Sequence, residues 1–298
     1  MYKQITSNKR KSFLLIAIFI VFVIFLGWIF GQFTGDSYGV IILALIISLV
    51  MALSSFYGGD KIALWTAGAK GPIQKNDNPY VYRLVENLCI TAGLPVPKIY
   101  LIPDPAPNAF ATGRDPKHAS IALTTGLVER LENEELEGVI AHELSHIKNY
   151  DIRLMMIVIV LVGIVALLSN WLLRFRFLGG RRDDRDGGGQ IGVILLLAGL
   201  ILAIISPLIG KLIQLAVSRK REFLADADGA LLTRYPEGLA RALEKITAYK
   251  EPIRKANDAT AHLYISNPFG AKTGKFFHKL FSTHPPAEER IKNLRGMA

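Results

Sequence analysis

Two unbroken apolar runs lie near the N-terminus, and each is long enough to cross a membrane as a helix. Residues 13–30 and 38–57 contain no ionisable side chain apart from tyrosines at the edges. At about 1.5 Å per residue, helices of this length reach about 27–30 Å, the thickness of the hydrocarbon core of a bilayer. The pattern predicts an N-terminal transmembrane hairpin over residues 1–57.

Two further apolar runs follow in the middle of the chain, at residues 154–173 and 191–217. The later run carries Pro207 and Lys211, so we expect its first part to span the membrane and its remainder to leave as an amphipathic helix. The loop between the runs, residues 174–190, contains five arginines. Because arginine favours the cytoplasmic side, residues 154–217 form either a full second hairpin or a shallow one that does not cross.

The distribution of Lys and Arg predicts the orientation in the membrane. Four such residues precede the first run, none lies in residues 31–37, and Lys61, Lys70 and Lys75 follow the second run. Positively charged loops stay in the cytoplasm, so the N-terminus and the polar stretches are expected there. The basic start also fits a secretory signal, but a second apolar run follows at once and no small-residue cleavage site separates the two.

Two polar stretches, residues 58–153 and 218–298, are long enough to form a folded domain together. Asn78 and Pro79 predict the start of a helix that ends at Gly93. Short apolar runs between turn residues predict a small sheet, with strands at residues 98–102, 108–113 and 119–124. Another helix is expected after Asn133, and the second stretch is expected to be mainly helical. The fold class is therefore α+β, with four membrane segments attached.

Composition narrows the possible functions. A chain of 298 residues with 51% hydrophobic and 20% charged residues is not a disordered protein. The single cysteine, Cys89, excludes an internal disulfide. The net charge of +10 lies largely beside the apolar runs, so membrane topology explains it and no nucleic-acid partner is predicted. Transport is not favoured either, because ion pathways require ionisable residues within the membrane segments, and only Lys211 approaches this.

The sequence His142-Glu143-Leu144-Ser145-His146 carries the chemistry of this chain. On a helix, residues four apart share one face, so His142 and His146 can bind one zinc ion. Glu143, beside them, is placed to act as general base toward water activated by the metal. Two histidines on a solvated helix face are the alternative interpretation.

A catalytic zinc site needs a third protein ligand and an open position. Glu222 and Asp226 are again four residues apart, so a helix presents both carboxylates on one face. Glu222 is the expected third ligand, and Asp226 can accept the second N–H of a zinc-bound histidine. Taken alone, the pair also fits a solvated helix face balanced by the basic residues before it.

With these motifs the chain resembles the HtpX-type integral-membrane zinc metalloproteases, which are related to the CAAX prenyl endopeptidases. The resemblance covers nearly the whole length. It rests on four motifs in order: residues 108–113 (NAFATG), 142–146 with Asn149 and Asp151, 221–226 (REFLAD), and 282–286 (STHPP) followed by Arg290.

The resemblance implies a zincin-like catalytic domain formed by residues 58–153 and 218–298, with the membrane segment 154–217 inserted between its two parts. It implies a multi-pass protein of the bacterial plasma (inner) membrane, with the active site facing the cytoplasm. It also implies substrates that are unfolded or misfolded polypeptides, membrane proteins included, and one zinc ion as cofactor. The oligomeric state is left open.

Further site residues are hypotheses. His284, in the family's His-Pro-Pro motif, or Arg290 is expected to approach the oxygen that gains charge during hydrolysis, although His284 also fits a packing role. Residues Asn108, Ala109, Phe110 and Ala111 are expected to form an exposed strand edge that pairs with the substrate backbone, with a plain core strand as the alternative.

The function expected is therefore zinc endopeptidase activity against misfolded or damaged proteins. The alternative from another class is a membrane-bound adaptor that holds unfolded proteins, with a structural zinc closed by a fourth protein ligand. A prenyl-processing enzyme is a variant within the first class, but four apolar runs are too few for the helical chamber of those relatives.

Overall fold

The computed structural model describes residues 2–158, 199, 219–256, 260–270 and 285–297. Helices in these ranges are α1 (Tyr2–Thr34), α2 (Ser37–Ala67), α3 (Pro79–Ala92), α4 (Thr125–Arg130), α5 (Asn133–Lys148), α6 (Arg219–Thr233), α7 (Pro236–Ala248) and α8 (Ala287–Arg295). Strands are β1 (Lys98–Ile102), β2 (Ala109–Gly113) and β3 (Ala119–Thr124). Residues 151–158 are also helical.

The first two predicted membrane segments are continuous helices. Residues Ile5–Ile29 of α1 and Ser37–Ala67 of α2 are each long and apolar enough to cross a membrane. The helices pack closely where Gly27 meets Ala44, and Asp36 caps α2 by accepting a hydrogen bond of 2.9 Å from the Gly39 N–H. The third and fourth predicted segments lie outside the described residues, apart from residues 154–158 and Gly199.

Helix α2 continues beyond its apolar run into the polar domain. Its last two turns bury Ala63, Leu64 and Ala67 in a hydrophobic cluster that includes Phe110 of β2 and Tyr264. Gly68 then ends the helix in the left-handed conformation, at a φ of 71°. The membrane hairpin and the polar domain therefore meet through a helix and not through a flexible linker.

The sheet is small and mixed, in the order β1-β3-β2. Strand β1 is parallel to β3, and β2 is antiparallel to β3. The three strands lie within one residue of the predicted ranges, because turn residues bound each apolar run. Helix α3 also has its predicted bounds, since Asn78 caps its first turn and Gly93 ends it with a φ of 66°.

Helix α5 lies at the centre of the domain, between the sheet and the pair α6 and α7. Twelve of its sixteen residues are buried, polar ones included. Its first turn is closed by a reciprocal capping box of Glu132 and Glu135, so the helix begins at Asn133, one residue before the expected start. Because α5 touches every layer, its side chains can meet residues from several distant segments.

Candidate metal centre

The two histidines of α5 point to a common position. His142 and His146 are buried, their ring centroids are 4.7 Å apart, and the planes of the two rings are nearly perpendicular. Their Nε2 atoms are 3.2 Å apart. The four-residue spacing on a helix is sufficient to produce this arrangement.

The carboxylate of Glu222 reaches the same position from helix α6. Its Oε1 lies 3.5 Å from Nε2 of His146, and its Oε2 lies 3.8 Å from Nε2 of His142. Helix α6 can approach this closely because Gly229 faces α5, where an added Cβ would lie 3.1 Å from the backbone nitrogen of His142. The structure therefore brings Glu222 to two histidines that lie 80 and 76 positions before it in the chain.

These distances fit a single metal ion. Two donors about 2.0–2.1 Å from one ion, at a tetrahedral angle, lie about 3.3 Å apart. The observed separations of 3.2, 3.5 and 3.8 Å bracket that value. Two imidazole nitrogens and one carboxylate oxygen are also donor types that zinc accepts.

The charge around the histidines also favours a bound metal ion. Four buried carboxylates surround them: those of Glu143, Asp151, Glu222 and Asp226. The guanidinium groups of Arg221 and Arg290 supply two positive charges, which leaves a formal charge of −2 when all four carboxylates are ionised and the histidines are neutral. Burying uncompensated charge is costly. A divalent cation bound between the three donors would neutralise the cluster.

The pKa of His146 reflects this excess of negative charge, whereas burial dominates the pKa of His142. Burial lowers the pKa of His146, but the hydrogen bond to Asp151 and the charge of Glu222 outweigh burial and raise it to about 9. Burial lowers the pKa of His142 to about 4. In the absence of a metal, His146 therefore binds a proton that compensates part of the negative charge, a role that a bound cation would take over.

The second nitrogen of His142 is held by the predicted carboxylate. Nδ1 of His142 lies 2.9 Å from Oδ1 of Asp226. Arg290 binds both oxygens of Asp226, with its Nε 2.8 Å from Oδ2 and its Nη2 2.6 Å from Oδ1. Burial raises the pKa of Asp226, but the charge of Arg290 outweighs it and brings the pKa to about 2. Asp226 thus stays ionised and fixes the orientation of the imidazole.

The second nitrogen of His146 has a partner to which the sequence pattern gave no role. Nδ1 of His146 lies 3.1 Å from Oδ2 of Asp151. Asp151 follows the end of α5, after a turn in which Tyr150 has a φ of 60°. Because of this turn, helical periodicity does not place Asp151 on the face of α5 that carries His146. The sequence signal for its role was its position in the motif that follows His146.

Glu143 lies next to the metal position but is not one of its three converging donors. It is buried, and its carboxylate accepts a hydrogen bond from the backbone N–H of Ala111. Burial raises the pKa of Glu143 to about 7. A carboxylate whose pKa is raised in this way is a stronger base than an exposed one.

The residues expected to bind substrate lie along β2, which is an edge strand of the sheet. The predicted exposure of this strand is not found, because Asn108, Ala109, Phe110 and Ala111 are all buried. Phe110 packs edge-on against Tyr264, and the Asn108 amide donates to the Ser266 carbonyl oxygen over 2.9 Å. These side chains face the protein interior. A peptide could therefore pair with the backbone of β2 and not with its side chains.

His284 lies outside the described residues, and Arg290 lies inside them. The Arg290 guanidinium is 98% shielded from solvent, and its Nη2 lies 3.4 Å from Nδ1 of His142. Its Nη1 also donates to the Ile265 carbonyl oxygen over 3.0 Å. Arg290 therefore touches His142 as well as Asp226, the carboxylate bonded to that histidine.

Comparison with known proteins identifies the relatives of this chain. Residues 75–298 match the pattern of Peptidase family M48. A "Protease HtpX homolog" of Tropheryma whipplei (strain Twist) is 47% identical over 297 residues, which cover 100% of this chain and 98% of that protein. The homologue of the same name from Caldanaerobacter subterraneus subsp. tengcongensis is 46% identical over 299 residues, with the same two coverages.

A solved structure shares the fold at much lower identity. The crystal structure of S. mikatae Ste24p aligns with 99% of this chain and 67% of its own, with a TM-score of 0.51 and 20% identity. The two histidines and the glutamate converge within a fold of that kind, a small mixed sheet in a mainly helical protein. The chain belongs to peptidase family M48 and is a metalloprotease of the HtpX type.

Proposed function

We propose that the protein is a membrane-anchored zinc endopeptidase that cleaves misfolded or damaged proteins, membrane proteins among them. The observation that carries this proposal is the convergence of His142, His146 and Glu222, with the buried carboxylate of Glu143 beside them. Among the described residues, three side chains converge as metal donors, whereas a structural zinc is usually bound by four protein ligands. This favours the hydrolase over the alternative of an adaptor with a structural metal.

The three converging side chains would hold the ion. Zinc, when bound, polarises a carbonyl group and lowers the pKa of water. Asp226 and Asp151 accept the Nδ1–H groups of the two histidines, which leaves the Nε2 lone pairs directed at the metal position. The negative charge of both carboxylates also strengthens the histidines as donors.

Glu143 is proposed as the general base. Its carboxylate accepts a proton from the attacking water and can return that proton to the departing amine. The N–H of Ala111 holds the carboxylate in place by a hydrogen bond. Arg290 is proposed to act on the reaction through Asp226 and His142, since its guanidinium bonds to the first and touches the second. His284 remains a candidate for stabilising the charge that develops on the substrate oxygen.

The backbone of β2 is proposed to pair with an extended peptide. Asn108 bonds to β3, since its carbonyl oxygen accepts from the Thr124 N–H over 3.0 Å and its own N–H donates to the Thr124 hydroxyl over 2.9 Å. In an antiparallel ladder the pairing alternates, so the backbone groups of Ala109, Ala111 and Gly113 face away from β3. The Ile265 N–H donates a hydrogen bond to the Ala109 carbonyl oxygen. The Ala111 N–H already donates to Glu143, so the carbonyl oxygen of Ala111, next to Glu143, is the proposed site of substrate pairing.

The proposed location is the bacterial plasma (inner) membrane, with the metal centre facing the cytoplasm. Helices α1 and α2 support the anchoring, and the basic residues before residue 13 support the orientation. Residues 154–217 are proposed to form a second membrane hairpin. The lipid bilayer is then a partner of the protein, and unfolded segments near its surface are the substrates.

Two substitutions test the proposal. Glu143→Gln keeps the three donors, so it should bind zinc while losing hydrolysis by about 10²–10⁴-fold. His142→Ala should lose both bound zinc and activity. The measurements are metal content of the purified full-length protein and digestion of casein or a membrane protein in detergent, with and without a chelator.

The matched control is Glu134→Gln, because Glu134 is an exposed glutamate on the same helix. It should retain wild-type activity and metal content. Hydrolysis at the wild-type rate by Glu143→Gln, once contaminating proteases are excluded, would contradict the proposed role of Glu143. Equal zinc binding by His142→Ala and wild type would contradict the proposed metal centre.

A further inference from the structure

One polar side chain of the first membrane helix is buried against the metal centre. Asn8 lies on α1, five positions before the apolar run begins, and it is 3% exposed. It is also outside residues 75–298, the part of the chain that matches the peptidase family. The anchoring function of α1 requires apolar residues, and it does not require a buried amide at this position.

Among the described residues, the Asn8 amide forms its hydrogen bonds with partners outside its own helix. Its Nδ2 donates to Oδ1 of Asp151 over 2.7 Å and to the carbonyl oxygen of Asn149 over 2.9 Å. Its Oδ1 lies 3.5 Å from Nη1 of Arg221 on α6. One side chain thus joins α1 to the turn after α5 and to the helix that carries Glu222.

A neighbouring residue of α1 makes an independent contact with the same turn. The ammonium group of Lys9 lies 4.3 Å from the ring centroid of Tyr150. This cation–π contact holds the residue between Asn149 and Asp151, at the point where the backbone has positive φ. Asn8 and Lys9 therefore hold all three residues of the turn.

The two oxygens of Asp151 have separate tasks. Oδ2 faces Nδ1 of His146 at 3.1 Å, whereas Oδ1 accepts from Asn8 over 2.7 Å and from Arg221 over 3.2 Å. The bonds to Oδ1 fix the rotation of the carboxylate and so hold Oδ2 against the histidine. Hydrogen bonds beyond the ligands tune metal binding because they orient the ligands.

We propose that Asn8 is a positioning residue of the metal centre, which acts on His146 through Asp151. The first membrane helix is then a component of the active site as well as an anchor. This inference rests on the proposed function, because it requires His146 to be a metal ligand.

The experiment compares zinc binding by full-length variants in detergent. Asn8→Ala removes the amide, and Asn8→Leu removes it while filling similar space, which supplies the measurement if the alanine variant does not fold. Ser12→Ala is the matched control: Ser12 is one turn later on α1, is equally buried, and its hydroxyl donates within its own helix to the Asn8 carbonyl oxygen over 2.8 Å. Zinc affinity is measured by competition with a chelator, and the thermal midpoint of the zinc-free protein is measured in parallel.

Both Asn8 variants should bind zinc about tenfold more weakly, at the low end of the effect of residues that support metal ligands. Ser12→Ala should stay within about twofold of wild type. In a background of Asp151→Ala, the Asn8 substitutions should have no further effect on zinc affinity, because the residue through which they act is gone.

Unchanged zinc affinity in both Asn8 variants would overturn the inference, whether or not their thermal midpoints fall. A tenfold loss that persists in the Asp151→Ala background would overturn it as well. His146→Ala separates the inference from the proposed function. Equal zinc binding by wild type and His146→Ala refutes the metal centre itself, whereas a loss in His146→Ala with none in the Asn8 variants refutes only the role of Asn8.

Discussion

Helices α1 and α5 distribute polar and apolar residues in opposite ways. Helix α1 exposes large apolar side chains, with Phe13 and Val21 each 66% exposed. Helix α5 buries charged and polar ones, including His142, Glu143 and His146, all less than 5% exposed. An apolar surface of this length is stable in lipid and not in water. A buried row of charges is stable only when each group has a partner.

This difference shows that burial has different consequences in α5 and α1. In α5 it removes water from charged groups, which strengthens their interactions and shifts their pKa values. In α1 the lipid replaces a protein core, so few residues are buried, and the buried polar ones, Asn8 and Ser12, lie at the end nearest the metal centre. Substitutions at matched positions should therefore have unequal effects.

The largest effect on stability is expected at Arg290, whose charged side chain is buried. Arg290→Met keeps most of the volume but leaves Asp226 ionised without its guanidinium partner. Breaking a buried ion pair in this way costs about 3–5 kcal/mol of unfolding free energy. The measurement is the thermal midpoint of the zinc-free protein in detergent, which should fall by several degrees.

The double variant Arg290→Met with Asp226→Asn checks the cause. It removes the uncompensated charge, so its thermal midpoint should lie above that of Arg290→Met alone. A single Arg290→Met variant as stable as wild type would show that the cluster tolerates the extra negative charge, and the electrostatic account of the core would be wrong.

Gly→Ala substitutions should change stability less than Arg290→Met does, and they should act in opposite directions in α5 and α2. A Cβ on Gly138 of α5 would lie 2.7 Å from the backbone nitrogen of Leu239 in α7, so the two helices must separate. The cost of such overpacking is about 1–3 kcal/mol, against a gain of about 1 kcal/mol in helix propensity. Gly138→Ala should therefore lower the thermal midpoint.

Gly58→Ala in α2 is the matched substitution, because, apart from the adjacent backbone of α2 itself, no atom of the described residues lies within 4 Å of a Cβ at this position. It should leave the midpoint unchanged or raise it, since only the gain in helix propensity remains. If both glycine variants changed stability in the same direction, the close contact of α5 with α7 would not be the reason for glycine at Gly138.

The smallest effect is expected on the apolar surface of α1. Val21→Leu adds one methylene to a side chain that is 66% exposed and has no core to overpack. Stability should change by less than about 0.5 kcal/mol, and zinc content and proteolysis should match wild type. A clear loss of activity would mean that Val21 contacts another part of the protein and not lipid.

The sequence predicted those parts of the fold and site that depend on neighbouring residues. Asn78 and Gly93 mark the ends of α3, as their capping preferences require. The spacing of His142 and His146 places both on one face of α5 without help from the rest of the chain. For residues 108–113, the pattern predicted a strand, but the burial of Phe110 against Tyr264 depends on a segment more than 150 positions away.

By itself, the sequence determined two membrane-capable helices, the strands and the histidine pair, because hydropathy and helical periodicity act over a few residues. The tertiary structure decided that Glu222, the third ligand expected from the sequence, lies beside the two histidines, that Asp151 lies against His146, and that Asn8 donates to Asp151. These contacts join segments up to 143 positions apart in the chain. Their geometry arises from the packing of α1, α5 and α6, which no local pattern of residues specifies.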